Sequence, residues 1–108
     1  IYATINGPTA VSTTNSSDGF KAAVRESGSS VIIYDDGSSI TSGTPSAFNI
    51  PGTDALTIGA WNNQGTVSDF SDRTYSIAFI GAQLSDTQIN SFNTIVETYM
   101  DNLGTGVQ

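Results

Sequence analysis

An antiparallel β-sandwich closed by a single C-terminal helix is the fold class that this sequence predicts. Three observations predict it. About seven short stretches enriched in β-branched and aromatic residues are separated by Gly, Pro, Asn and Asp turn signals. Asp36-Gly37 lies between two of these stretches, and such a pair marks a hairpin because both central residues of the turn need positive φ. Only the stretch after Leu84 carries the three-and-four spacing of an amphipathic helix.

In chain order, Ile1–Ile5 alternates and ends at Asn6-Gly7-Pro8, a short strand and a turn. Ala10–Thr14 reads as a second, weakly marked strand. The loop Asn15-Ser16-Ser17-Asp18-Gly19 opens on an Asn-X-Ser pattern, which has meaning only on a eukaryotic secretory route. Phe20–Arg25 alternates again, with Phe20, Ala22 and Val24 on one face and Lys21, Ala23 and Arg25 on the other. Ser27-Gly28-Ser29 turns the chain into Val31–Tyr34, a run with high strand preference. Asp35-Asp36-Gly37-Ser38 turns it back into Ser38–Thr41, so two linked hairpins form an antiparallel meander. Ser42–Asp54 is irregular, since Pro45 and Pro51 exclude a central strand. Leu56–Ile58 reads as a short strand and Trp61-Asn62-Asn63-Gln64-Gly65 as a polar loop. Tyr75, Ile77 and Phe79 then alternate with Thr74, Ser76 and Ala78, which predicts a strand over Arg73–Ile80 with one apolar face.

The helix carries the most complete set of signals. Ser85 and Gln88 form a capping box, and Leu84 and Ile89 occupy the staple positions on either side of it. Ile89, Phe92, Val96, Tyr99 and Leu103 recur on one face, and Gly104 stands where a left-handed C-cap is needed. Asn90, Asn93, Thr94, Thr98 and Asn102 are poor helix formers, so the helix depends on burying its apolar face against a sheet. Residues 1–108 are read as a single domain, or the C-terminal part of one, with strands over about 1–80 and the helix over about 86–103.

Composition bounds the function. The net charge is −7, with Lys21, Arg25 and Arg73 the only cations, and nucleic-acid binding needs a positive field. The sequence has no long apolar run, so no membrane insertion is expected. It contains neither cysteine nor histidine, which removes disulfides, thiolate metal sites and the commonest general base. Ser and Thr supply 29 of the 108 residues, yet 37% hydrophobic content in periodic patterns argues for a folded β-protein rather than disorder. Few charges with abundant Ser, Thr and Asn suit an extracellular or virion surface. The start at Ile1 rather than Met reads as a processed product or a piece of a longer chain.

The candidate chemistry is sparse. Sugar-cleaving β-sandwiches need two carboxylates facing across the sugar ring. Asp35 and Asp36 fall in a turn, and Asp69 and Asp72 are three apart on a run leading into a strand, which aims them at opposite faces. No catalytic residue is assigned, no metal is expected because no EF-hand spacing exists, and no cofactor is expected. Asp35, Asp36, Asp54, Asp69 and Asp72 read as solvated turn acids. Trp61 with Asn62, Asn63 and Gln64 combines an apolar ring face with amide hydrogen-bonders, the make-up of a carbohydrate site, although a tryptophan packed into its loop base is the simpler reading.

Several of these segments occur in a familiar order. Ile58-Gly59-Ala60, Phe70-Ser71-Asp72-Arg73, Phe79-Ile80-Gly81, Leu84-Ser85-Asp86 and Leu103-Gly104 together resemble the C-terminal end of concanavalin A-like (laminin G-like) jelly-roll domains in tailed-phage structural proteins. Val31–Gly37 is similar to that family's hairpin, and the resemblance spans roughly residues 20–107. Two features depart from the pattern. The family's longer N-terminal part is missing, and Thr105 stands where several relatives have a basic residue. The resemblance implies a jelly-roll sandwich in a virion structural or appendage protein, such as a tail fibre, spike or capsid-surface component, that takes host-surface glycans. A secreted or cell-surface carbohydrate-binding module is the alternative, and a glycan hydrolase ranks last. The missing strands leave sheet edges open, which predicts a homo-oligomer, a trimer in a fibre or spike, or contact with other virion proteins.

Overall fold

The computed structural model describes residues 2–3, 5, 11–15, 18–44, 57–63 and 65–104. The expected turn at Asn6-Gly7-Pro8, the Pro45 and Pro51 stretch, Asp54, Leu56 and Gln64 lie outside them. The chain is mainly antiparallel strand with one C-terminal helix, and it divides into two compact units. The first joins Ile1–Phe48 to Gln83–Gln108, and the second is Asn49–Ala82.

At the centre of the first unit is a three-stranded meander, ordered β3-β4-β5. Its strands are β3 (Lys21–Ser27), β4 (Ser30–Asp35) and β5 (Ser38–Gly43). The predicted hairpins both form. Ala22 pairs with Tyr34 and Val24 with Ile32 across the first, while Asp35 pairs with Ser38 across the second. Asp36 and Gly37 have φ of 46° and 79°, the left-handed pair that a two-residue hairpin loop requires. Tyr2–Ala3 (β1) pairs with Val11–Ser12 (β2) in a separate two-stranded ladder.

Alternation along β3 and β4 gives the meander two apolar faces. Phe20, Ala22, Val24 and Tyr34 form one, together with half-buried Ile32. Val31 and Ile33 form the other and pack with Val11, Ile5 and Ile40, so the first segment of the chain covers that side. The helix α1 (Asp86–Asn102) covers the first face through Ile89 and Val96, with Leu84, Phe92 and Met100 at the margin. The rings of Phe20 and Phe92 meet edge to face with centroids 5.8 Å apart.

The helix ends match their sequence signals. The Gln88 N–H donates to Ser85 Oγ at 3.4 Å, and the Ser85 N–H donates to Gln88 Oε1 at 2.9 Å. Gly104 is left-handed (φ 73°) and its N–H donates to the Asp101 carbonyl at 2.9 Å. On the outer face Thr94 and Thr98 hydroxyls donate back to the carbonyls of Asn90 and Thr94 at 3.1 and 2.8 Å, competing locally with regular helix geometry. Ser85→Ala is therefore expected to cost about 1 kcal/mol, read as a lowered midpoint in thermal melts followed at the helix signal. An unchanged midpoint would remove the cap from the account.

Two expectations are corrected. The inward stripe of the helix is Ile89, Phe92, Val96 and Met100, whereas Tyr99 and Leu103 are 56% and 58% exposed. At the angular step of an α-helix Tyr99 is rotated about 80° from the line through Ile89, Val96 and Met100, and Leu103 is the C-cap, just past the last helical residue. The second correction concerns Arg73–Ile80, which forms no strand. Alternation sets which way side chains point, but a strand also needs a ladder partner, and none pairs with this stretch among the described residues.

Candidate functional site

Two places bring chemistry-bearing residues together, one in each unit. In the first unit, the β4–β5 turn lies beside the start of the helix. Asp36 Oδ1 accepts the Phe20 N–H at 2.9 Å, and the Asp36 N–H donates to the Phe20 carbonyl at 2.9 Å, which ties the turn to the head of β3. Gly19 makes room for this clamp, since a Cβ there would stand 2.4 Å from Asp36 Oδ1.

Asp35 and Lys21 are directly opposed across the β3–β4 ladder and form an ion pair, both largely sheltered from solvent. Asn15 Nδ2 donates to the second Asp35 oxygen at 3.1 Å. Hydrogen bonding from Lys21 is the main cause holding the Asp35 carboxyl below its ordinary range. Partial burial opposes that effect, and Asn15 and the Lys21 charge reinforce it. The Tyr34 hydroxyl donates to Asp86 Oδ1 at 2.5 Å, joining the centre of the sheet to the first turn of the helix. Burial raises the Tyr34 phenol well above its usual value, and the Asp86 hydrogen bond and charge push it further in the same direction. A shallow groove of about 440 Å³ runs between Gly37–Ser39 and Asp86, Thr87 and Asn90. These carboxylates are committed to structural bonds: Asp35 to an ion pair, Asp36 to a turn and Asp86 to a helix start.

The second unit differs in character. Trp61–Asn63 (β6) and Thr66–Ser68 (β7) form a small antiparallel hairpin in which Trp61 opposes Ser68 and Asn62 opposes Val67. The stretch predicted as a polar loop, Trp61–Gly65, thus begins with a strand, Trp61–Asn63, and ends at the left-handed Gly65 (φ 86°) that leads into β7. The run Asn62-Asn63-Gln64 hid the strand. Gly65 was the available signal, because a glycine with positive φ suits the second position of a short hairpin loop.

The sequence-predicted carbohydrate residues are placed as follows. Trp61 is 42% exposed on β6. Alternation along the strand puts Asn62 on the opposite face, and its Oδ1 accepts the Gly65 N–H at 2.9 Å. Gln64 and the side chain of Asn63 lie outside the described residues.

This unit also exposes large apolar side chains. Ile58, Val67 and Phe70 are 61%, 41% and 77% exposed, and no described residue of this unit is fully buried. Tyr75, Ile77, Phe79 and Ile80 add exposures of 52%, 47%, 45% and 76%. The Tyr75 ring lies over Gly59, where an added Cβ would stand 2.9 Å from the ring, and the Ser71 N–H donates to the Gly59 carbonyl at 2.7 Å. The charged groups described here are Asp69, Asp72 and Arg73, and the Arg73–Asp72 pair is open to water at 3.7 Å, so it adds little.

No group of His, Cys, Asp or Glu among the described residues is arranged to hold a metal ion. No helix among them is long and apolar enough to cross a membrane. No family model, curated protein or solved structure matches the chain.

Proposed function

We propose that this chain is a structural component of a virion surface or appendage, built on a lectin-like jelly-roll sandwich and acting by assembly and by contact with host-surface glycans. The observation that carries this reading is the set of large apolar side chains exposed among the described residues of the second unit, from Ile58 to Ile80. Soluble monomers rarely expose contiguous apolar patches of more than a few hundred Å², and larger ones mark interaction sites. The order of Gly-, Asp- and Ser-containing segments that resembles phage jelly rolls supports the same class. The structural commitments of Asp35, Asp36 and Asp86 favour a binding and assembly role over a hydrolase.

Trp61 favours glycan contact, because a half-exposed indole offers a flat apolar face to a sugar ring. Glycan addition is expected to change the fluorescence of this single tryptophan, and Trp61→Ala is expected to abolish retention on a glycan array. Retention unaffected by the substitution would return Trp61 to a packing role. Stoichiometric copies in purified particles would separate a virion component from a secreted or cell-surface carbohydrate-binding module, which shares the fold and the tryptophan. Release of reducing ends from a glycan panel would overturn both in favour of a hydrolase.

A further inference from the structure

We propose that Trp61, Thr66, Ser68 and Asp69 form a binding site for a neutral pyranose sugar. The indole is the platform for the apolar face of the ring, and the Asp69 carboxylate accepts its hydroxyls. This site rests on the glycan-contact reading above, and it draws its polar groups from the second strand of the hairpin rather than from the amides that follow Trp61.

The register of the ladder makes the first assignment. Trp61 opposes Ser68 and Asn63 opposes Thr66. Directly opposed residues of an antiparallel pair share a face, with their Cβ atoms about 4.5–5.5 Å apart. Trp61, Thr66 and Ser68 therefore stand on one side of the hairpin, and Asn62 and Val67 on the other. Trp61 and Thr66 are exposed there and Ser68 is half-buried beside them.

Asp69 is the member that spacing alone would leave out. A continued strand would send it to the Asn62 side. Its φ is instead 50°, one of two positive values among the described non-glycine residues. The other, at Asp36, belongs to a hairpin loop that requires it. Asp69 has no such reason, since it follows the last residue of β7. Backbone outliers of this kind persist where the surroundings hold them, and they cluster at binding sites. Here the Ser68 hydroxyl donates to Asp69 Oδ2 at 3.1 Å. Because Ser68 opposes Trp61, that bond holds the carboxylate at the indole side of the hairpin.

The class of sugar follows from charge and hydrogen-bonding capacity. An ionised carboxylate only accepts, and the Ser68 bond leaves most of the acceptor sites of exposed Asp69 open to sugar hydroxyls. Such charge-assisted bonds are the stronger kind. The Thr66 hydroxyl on the same side can donate or accept. Uronic and sialic acids would set their own carboxylates against Asp69, on a chain of net charge −7. Arg73, the one cation in the sequence of this unit, is paired with Asp72.

Trp61 is the single tryptophan, so its emission reads occupancy in the full 108-residue chain. The probes are the methyl glycosides of glucose, galactose and mannose, with glucuronic acid and N-acetylneuraminic acid at matched ionic strength. At least one neutral glycoside should shift the emission saturably, and the two acids should not. Asp69→Asn keeps the side-chain size and a residue type that tolerates positive φ, so the emission of the free protein should be unchanged. It should bind the neutral glycoside about tenfold more weakly or worse, and the gap to glucuronic acid should narrow. Ser68→Ala, which frees the carboxylate, should weaken binding several-fold. Asp69→Asn at parent affinity, or acids that bind as well as neutral sugars, would overturn this site and leave Trp61 as a glycan contact. A flat response to every probe, with array retention still lost in Trp61→Ala, would do the same. A flat response with no array retention by the parent chain would overturn both.

Discussion

Replacing Tyr34 with alanine is expected to destabilise the sheet-and-helix unit by about 3–5 kcal/mol, the range for removing a large buried ring. Tyr34 is 0% exposed and is the largest of the fully buried side chains. It packs among Phe20, Ala22, Val24, Ile89 and Val96, so the cavity would open between the meander and the helix rather than at an edge. Small domains have only about 5–15 kcal/mol of net stability, so this one change removes a large share. Chemical denaturation followed at the helix signal should show the midpoint shift, and a shift below about 1 kcal/mol would mean that the helix does not seat on this ring.

Tyr34→Phe separates the ring from its hydroxyl. It keeps the packing and deletes the 2.5 Å bond to Asp86, so its cost should fall near the 1.5–3 kcal/mol of a hydrogen bond to a charged group. The same pair predicts a pH dependence. The folded chain holds the Tyr34 proton more tightly than the unfolded chain does, because the phenol is raised by burial and by Asp86. Its contribution is complete below the ordinary tyrosine range near pH 10. As pH rises past that value the unfolded chain loses the proton first, and stability falls with alkalinity. Tyr34→Phe should flatten that loss. Asp35 works at the other end: its depressed carboxyl supports folding above the ordinary aspartate range and withdraws that support as pH falls through the lower folded value.

What could be read from the sequence follows the range of the interactions involved. Asp36-Gly37 and the Ser85–Gln88 box act over two to four residues, so their chemistry was complete in the string and the turn and cap formed as expected. The faces of β3 and β4 were legible for the same reason, since alternation is local. The Tyr34–Asp86 bond joins positions 52 apart, and no local pattern announces it. At the helical step Met100, not Tyr99, continues the line through Ile89 and Val96, so this part of the stripe is local too, and a step of three from Val96 to Tyr99 leads away from the core. Arg73–Ile80 has every local property of a strand, and only a partner decides whether it becomes one.

The candidate site was harder to read for a related reason. Trp61 could be singled out by residue type, but Asn62 and Asn63, a type depleted in strands, mask the first strand of the hairpin that presents it. Its exposure, and the assignment of Asn62 to the other face, follow from the ladder with Thr66–Ser68 and not from spacing within the motif. The jelly-roll resemblance rests on short segments in order. Among the described residues the strands form three small antiparallel sheets, and the helix covers one face of the meander.

Gly37→Ala should produce the second large effect, on the order of 2–3 kcal/mol, from two sources that share one position. The first is conformational. Gly37 has φ of 79°, where an L side chain is strained by about 1–2 kcal/mol. The second is steric. A Cβ at Gly37 would stand 3.1 Å from the Asn93 Cβ and 3.2 Å from the Asn90 Cα, closer than ordinary carbon contacts. Neither obstacle is the free end of a flexible side chain, so relief requires the helix to rise from the turn. That movement would strain the Tyr34–Asp86 bond and loosen Ile89 and Phe92 from their places beside Phe20. The turn and the helix should therefore fail together. In hydrogen exchange, amides of α1 and of β5 should lose protection in parallel in Gly37→Ala. Strain confined to the turn would instead lower protection only around Ser38 and leave Ile89–Val96 as in the parent chain, and that outcome would show that the helix is not seated on Gly37.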